Sequence, residues 1–174
     1  MAICRLSIDD GAGDLASSVA SPCLQMGESA ILLVDADVTM PIAHKRFGVS
    51  ESPGLLDWLA NTNPIDRCTH GCSLPRLPVM PPGRSVSPAV QLLASEHCRE
   101  GFGALRSQFG CIIVSIAGAA TTAEGLLVAD QCDAYVAAVT AGRSRDELAS
   151  LERQMSRTRA RALGAVLMQD DRKG

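Results

Sequence analysis

The residues best placed to do chemistry stand at the head of the chain. An apolar run over residues 3–8 leads into Asp9, Asp10, Gly11, Ala12, Gly13, Asp14 and Leu15, and a helical pattern follows. Strand, glycine-rich turn, helix is the layout of a phosphate-binding loop, where successive backbone N–H groups and a helix N-terminus favour an anion. A loop that holds a nucleotide closes with Gly-Lys-Ser/Thr, the lysine on the terminal phosphates and the hydroxyl on Mg²⁺. Here Asp14 and Leu15 stand in those two places. A cation is exchanged for an anion, and a metal-ligating hydroxyl for an alkyl chain. One unit charge about 4 Å from another is worth roughly 4 kcal/mol at an effective dielectric near 20. At about 1.4 kcal/mol per tenfold, that weakens phosphate binding by orders of magnitude. Gly11, Ala12, Gly13, Asp14 and Leu15 read either as a relic phosphate loop or as a Gly/Asp turn that never held one.

Other groupings carry weaker signals. Asp35 and Asp37 lie two apart, so they project to one side of an extended segment, as a pair that holds a metal or orients water must. With Asp9, Asp10 and Asp14 they offer oxygen ligands to a divalent cation, although acidic residues in loops are commonly solvated. Cys68, His70 and Cys72 place three soft ligands within five residues. Structural zinc wants four; His44 or Cys98 would have to complete the set, and the plain reading is a cysteine-bearing surface loop. His97 reads as a solvated or half-buried side chain. Arg143, Arg145, Arg153, Arg157, Arg159 and Arg161 read as a solvated helix side, or as a face for a partner or an anionic membrane. No Ser/His/Asp spacing resembles a hydrolase elbow.

These residues need a frame. Short apolar runs at 3–8, 30–34, 77–80, 111–116, 134–139 and 165–168 have the continuous character of parallel strands covered on both faces. Helical patterns alternate with them at 15–26, 55–60, 88–108, 121–130 and 145–163. Pro22 should interrupt or shorten the first, Pro88 suits a first turn, and Thr121 with Glu124 has capping-box spacing. In the last, Leu148, Leu151, Met155 and Ala162 can share a face. Strand–helix alternation throughout argues for one three-layer α/β domain over residues 1–174. Residues 61–88 read as a proline-rich loop and 169–174 as a frayed tail.

Composition narrows the classes. The 174 residues include 47% hydrophobic ones, which excludes a disordered chain. Sixteen Lys+Arg against nineteen Asp+Glu give a net charge of −3, and aromatics are 3%. A nucleic-acid partner is therefore not expected. No apolar run approaches the roughly 20 residues of a membrane span, and the N-terminal residues lack a signal-peptide core. A cytoplasmic location is expected, and the seven cysteines are expected to stay reduced.

A family resemblance runs along most of the sequence. An apolar strand followed by Asp35-Ala36-Asp37-Val38-Thr39-Met40-Pro41 and then Phe47-Gly48 resembles the second Walker segment of the bacterial tyrosine kinases (BY-kinases) of capsule and exopolysaccharide synthesis, D-A-D-L-R-x-P then F-G. Pro53-Gly54-Leu55-Leu56-Asp57-Trp58-Leu59 is similar to their P-G-L-x-D-x-L. Leu77-Pro78-Val79-Met80-Pro81-Pro82-Gly83, with Pro88 and Gln91-Leu92-Leu93-Ala94-Ser95, resembles L-x-V-L-P-x-G … P-x-E-L-L-x-S. Phe109-Gly110-Cys111-Ile112-Ile113-Val114-Ser115 resembles the Walker B strand, and Leu163-Gly164-Ala165-Val166-Leu167 the closing L-G-x-V-L-N.

The resemblance implies a parallel-sheet P-loop NTPase-like fold, shared with partition and cell-division ATPases. It also implies departures at the chemical positions. The P-loop Lys is Asp14, the Mg²⁺ hydroxyl is Leu15, the partition-type signature Lys falls near Asp9, the Walker B Asp is Ser115, the Arg of D-A-D-L-R is Thr39 and the base-reading Asn is Met168; Asp35 and Asp37 remain. The family's tyrosine-rich tail has no counterpart, since the single tyrosine, Tyr135, falls in a strand. The oligomerising N-terminal helix has no match either, and the oligomeric state stays open. Phosphoryl transfer is mostly positioning and charge neutralisation. The expectation is a pseudo-kinase with no catalytic residues and no cofactor. Its partners would be a membrane polysaccharide co-polymerase or an active BY-kinase, met at the inner face of the plasma membrane. The alternatives are a divergent ATPase or tyrosine kinase using ATP and Mg²⁺ held by Asp35 and Asp37, and a ParA-like positioning protein.

Overall fold

The structure is a computed structural model that describes residues 2–5, 12–25, 27, 29–116 and 122–168. Its elements alternate as β1 (Ala2–Arg5), α1 (Ala12–Gln25), β2 (Ile31–Asp35), α2 (Ala43–Phe47), α3 (Leu55–Leu59), α4 (Ile65–Cys68), β3 (Val79–Met80), α5 (Ala89–Leu93), α6 (Glu96–Gln108), β4 (Cys111–Ile116), α7 (Ala123–Ala129), β5 (Ala134–Thr140), α8 (Arg145–Met155) and β6 (Arg161–Met168). The strands form one sheet in the order β3-β2-β4-β1-β5-β6, every pair parallel. Parallel neighbours require crossovers, and the helices supply them on both faces.

Alternation along each strand sorts side chains between two cores. From β2, Leu32 and Val34 enter one core with Leu55, Phe102, Leu105, Val128, Leu151 and Met155 of α3, α6, α7 and α8. Ile31 and Leu33 enter the other, with Ala16, Ala20 and Leu24 of α1 and Ala43 of α2. This is the three-layer arrangement expected from the alternating runs.

Several local expectations are corrected. Pro22 lies inside α1, which runs on to Gln25. Pro22 and Ser18 are both exposed, so water can satisfy the carbonyl that the proline leaves without its donor. Residues 88–108 form two helices rather than one: α5 ends at Leu93, and Ser95 starts α6 by accepting from the Cys98 N–H at 3.1 Å. Pro88 is the N-cap of α5 and not its first turn. The cap of α7 is Thr122, one residue later than the spacing suggested, with Gly125 N–H donating to its hydroxyl at 3.1 Å.

The last helix stops at Met155, and Ala162 lies in β6 rather than on the face of α8. Arg157, Arg159 and Arg161 consequently leave the helix. The Asp130 carboxylate takes the Arg159 N–H at 3.1 Å, and the Asp133 carbonyl takes that of Arg161 at 3.0 Å, drawing the chain into the sheet. Residues 61–88 contain α4 and β3. Tyr135 is buried in β5, as expected. The predicted start of the first strand is met, whereas its residues 6–8, and the tail at 169–174, lie outside the described residues.

Candidate functional site

Ligands of open α/β sheets bind beyond the carboxyl ends of the strands. At that edge β4 stands between β2 and β1, and Ser115 registers with Asp35 on one side and Ile3 on the other. The Ala36 N–H donates to the Ser115 carbonyl at 3.0 Å, tying the exits of the two strands together. β1 leads through residues 6–11 to α1, whose first residues are Ala12, Gly13, Asp14 and Leu15. The strand and the helix that flank the glycine-rich stretch are therefore β1 and α1. Asp9, Asp10 and Gly11 lie outside the described residues, as do the side chains of Ala12, Gly13 and Asp14. Leu15 packs half-buried against the α1-side core. Ser115, in the Walker B position of the resemblance, is buried at 2% exposure.

Asp35 and Asp37 are both buried, and both are engaged with backbone. One oxygen of Asp35 accepts the Asp37 N–H at 3.1 Å; the other accepts from Ile42 at 2.9 Å and Ala43 at 3.0 Å. Asp37 Oδ1 accepts from Thr39 at 3.0 Å and Met40 at 2.9 Å. Carboxylates are suited to this, because each satisfies several donors at a turn that would otherwise leave them unpaired. The pair shapes the path from β2 to α2. Thr39, in the arginine position of the resemblance, is exposed on that turn. Met168 ends β6, at the same edge of the sheet.

A third carboxylate, that of Asp57, was not foreseen as structural. Asp57 is buried, and its Oδ2 accepts from Gly54 N–H at 2.8 Å, Arg84 N–H at 2.9 Å and Ser52 Oγ at 3.2 Å. The N–H groups of Leu55 and Leu56 donate to Pro81 and Pro82 carbonyls at 2.8 and 2.9 Å. The Pro53-Gly54-Leu55 and Pro81-Pro82-Gly83 segments thereby lock face to face. A Cβ on Gly54 would fall 2.1 Å from the Pro81 oxygen, and one on Gly83 2.2 Å from Asp57 Oδ2. The sequence held a signal for this: Gly54 to Asp57 has the spacing of a helix N-cap and its third residue.

The Cys68, His70 and Cys72 group is dispersed by the fold. Cys68 is fully buried, His70 Nε2 lies 2.7 Å from the Pro53 carbonyl, and the Cys72 thiol donates to the Leu77 carbonyl at 3.2 Å. Among the described residues no group of three or more His, Cys, Asp or Glu is placed to hold a metal ion. Burial pushes the thiols of Cys68 and Cys98 up to about 11 and that of Cys132 to about 12. These are inert core groups rather than nucleophiles. His97 is half-buried beside Trp58, ring centroids 5.8 Å apart. A cavity of about 300 Å³ lined by Phe102, Arg106, Phe109, Cys111, Cys132 and Asp133 opens at the amino ends of β4 and β5. It therefore lies at the opposite end of the sheet from Asp35 and Ser115. Among the described residues no helix is long and apolar enough to cross a membrane.

Comparison with known proteins places this geometry. No family model matches the chain. The tyrosine-protein kinase CpsD of Streptococcus agalactiae is 24% identical over 169 residues, 96% of this chain and 73% of that protein. The chimerical protein CapA2B2 superposes with a TM-score of 0.87 at 22% identity, over 97% of this chain and 76% of the other. The kinase domain of the Escherichia coli tyrosine kinase ETK gives 0.86 at 18% identity, over 99% and 69%. The chain is thus a homologue of the bacterial tyrosine-protein kinases, built on the P-loop NTPase fold of their kinase domains.

Proposed function

We propose that this chain is a non-catalytic accessory protein of exopolysaccharide or capsule biosynthesis, in which a BY-kinase-like scaffold acts by protein–protein contact. Its partner in this reading is a membrane polysaccharide co-polymerase or an active kinase, met at the cytoplasmic face of the membrane. The observation that carries the reading is the donor set at the carboxyl edge. Asp14 and Leu15 open α1, and Ser115 stands beside Asp35 at the end of β4. These residues do not fit Mg²⁺ and a triphosphate: the cation is replaced by a carboxylate, and the hydroxyl and carboxylate that would hold the metal are an alkyl chain and a serine. Asp35 and Asp37 do not offset the loss, since backbone N–H groups already engage both oxygens of Asp35 and Oδ1 of Asp37.

The test is a titration of a fluorescent ATP analogue with Mg²⁺ against the wild type and the Asp14→Lys/Leu15→Ser double variant. The wild type is expected to show no micromolar binding and no thermal stabilisation; the double variant gains affinity. Micromolar binding by the wild type would overturn the reading in favour of a divergent ATP-dependent kinase. Equal affinities of the two proteins would show that residues 11–15 are not a relic phosphate loop.

A further inference from the structure

We propose that the outer edge of β6 is a docking site for an extended, acidic segment of a partner protein, which joins the sheet as a further strand. This edge shares only Met168 with the carboxyl-edge site, and docking there goes beyond the nucleotide question. Strands of parallel sheets are normally covered on both faces. β6 departs from this. It ends the sheet, it pairs with β5 alone among the described residues, and residues 161–167 are all exposed. Leu163 is 50%, Val166 38% and Leu167 72% exposed, apolar side chains left open to solvent along the strand.

The backbone is equally open. The Met168 carbonyl accepts the Ala141 N–H at 3.0 Å, so Met168 faces β5. Alternation then turns Val166 the same way and directs the N–H and C=O of Ala165 and Leu167 outward. Proteins usually blunt such an edge with lysine, proline or a bulge. Here the irregular register opposite Tyr135 and Val136 disturbs the strand only around Leu163 and Gly164. Ala165 to Met168 remains regular.

Charge decides the occupant. Residues 143–168 carry six arginines against three carboxylates in a chain whose net charge is −3. Arg153, Arg157, Arg159 and Arg161 are exposed where α8 ends and β6 begins. A second copy paired along this edge would run antiparallel, and a dimer in solution that Ala165→Pro abolishes would overturn the proposal. An anionic membrane would meet the arginines but leave the outward N–H and C=O groups unpaired. An extended segment whose carboxylates lie beside Arg157 and Arg159, and whose apolar side chains lie along Val166 and Leu167, satisfies both features. Strand addition takes its affinity from main-chain hydrogen bonds and its specificity from alternate side chains.

The test pans a displayed library of random peptides against the wild type and measures each enriched peptide by fluorescence anisotropy on two variants. Ala165→Pro removes an outward N–H and leaves the ladder to β5 in place; Arg157→Glu with Arg159→Glu reverses the charge without touching the strand. Far-UV circular dichroism and thermal melts check that each variant folds, and the charge variant keeps the test alive if the proline variant does not. Enriched peptides should be acidic and β-branched, and should bind either variant at least about tenfold more weakly. Peptides that bind both variants as they bind the wild type would overturn the proposal, as would a failure to enrich any. Phosphatidylglycerol vesicles form the last arm. Vesicle binding that is lost with the arginines but indifferent to Ala165→Pro, with no peptide enriched, assigns the zone to lipid and overturns the proposal.

Discussion

Replacing Asp35 by asparagine separates a carboxylate that builds a turn from one that serves a metal. The Asp35 side chain accepts three backbone N–H groups, from Asp37, Ile42 and Ala43, at 2.9–3.1 Å and with no solvent exposure. Asparagine keeps one acceptor oxygen. In its better orientation, that oxygen faces Ile42 and Ala43 and the amide NH₂ confronts the Asp37 N–H. Two charge-assisted bonds become neutral ones, at about 1 kcal/mol each, and one buried donor is left unpaired at about 1–3 kcal/mol. The loss is therefore about 3–5 kcal/mol. For a domain of this size 1 kcal/mol moves the melting temperature by about 2–4 °C, so a drop of roughly 6–20 °C is expected. The assay is thermal unfolding by circular dichroism in EDTA and again in Mg²⁺. The same drop should appear in both. A variant that melts with the wild type in EDTA and falls behind it only in Mg²⁺ would refute the reasoning and return Asp35 to a metal site.

Three further perturbations follow from the packing. Gly83→Ala adds strain at φ +72° and a Cβ 2.2 Å from Asp57 Oδ2; urea unfolding should show a loss of about 2–5 kcal/mol. Gly101→Ala places a methyl 2.4 Å from the indole of Trp58, the single tryptophan. Its emission should shift to the red with a loss of roughly 1–3 kcal/mol, whereas Gly103→Ala on the open side of α6 should stabilise by about 0.5–1 kcal/mol without a spectral change. Burial raises the folded-state thiols of Cys68 and Cys98 from 9.0 to about 11 and of Cys132 to about 12. Their contribution is fully present below pH 9 and is lost as pH rises through 11–12, because the unfolded chain ionises first. Urea midpoints should fall across that window, and alkylation at pH 8 should spare these three thiols until the chain unfolds.

The sequence by itself determined the layering. Continuous apolar runs such as Cys111–Ile116 have the character of a buried parallel strand. Boundaries that depend on distant partners were not legible. Pro22 stays within α1 because Ala16, Ala20 and Leu24 are buried against the sheet, and packing outweighs the lost hydrogen bond. Arg161 starts a strand rather than continuing α8 because the carbonyl of Asp133, 28 positions earlier, captures its N–H. Asp35 and Asp37 looked like one ligand pair from their spacing; only the fold folded residues 39–43 back onto them and gave their oxygens to backbone donors. Local periodicity is set by the chain's own neighbours, whereas the use of a carboxylate or the end of a helix is set by whichever buried group arrives from elsewhere to be satisfied.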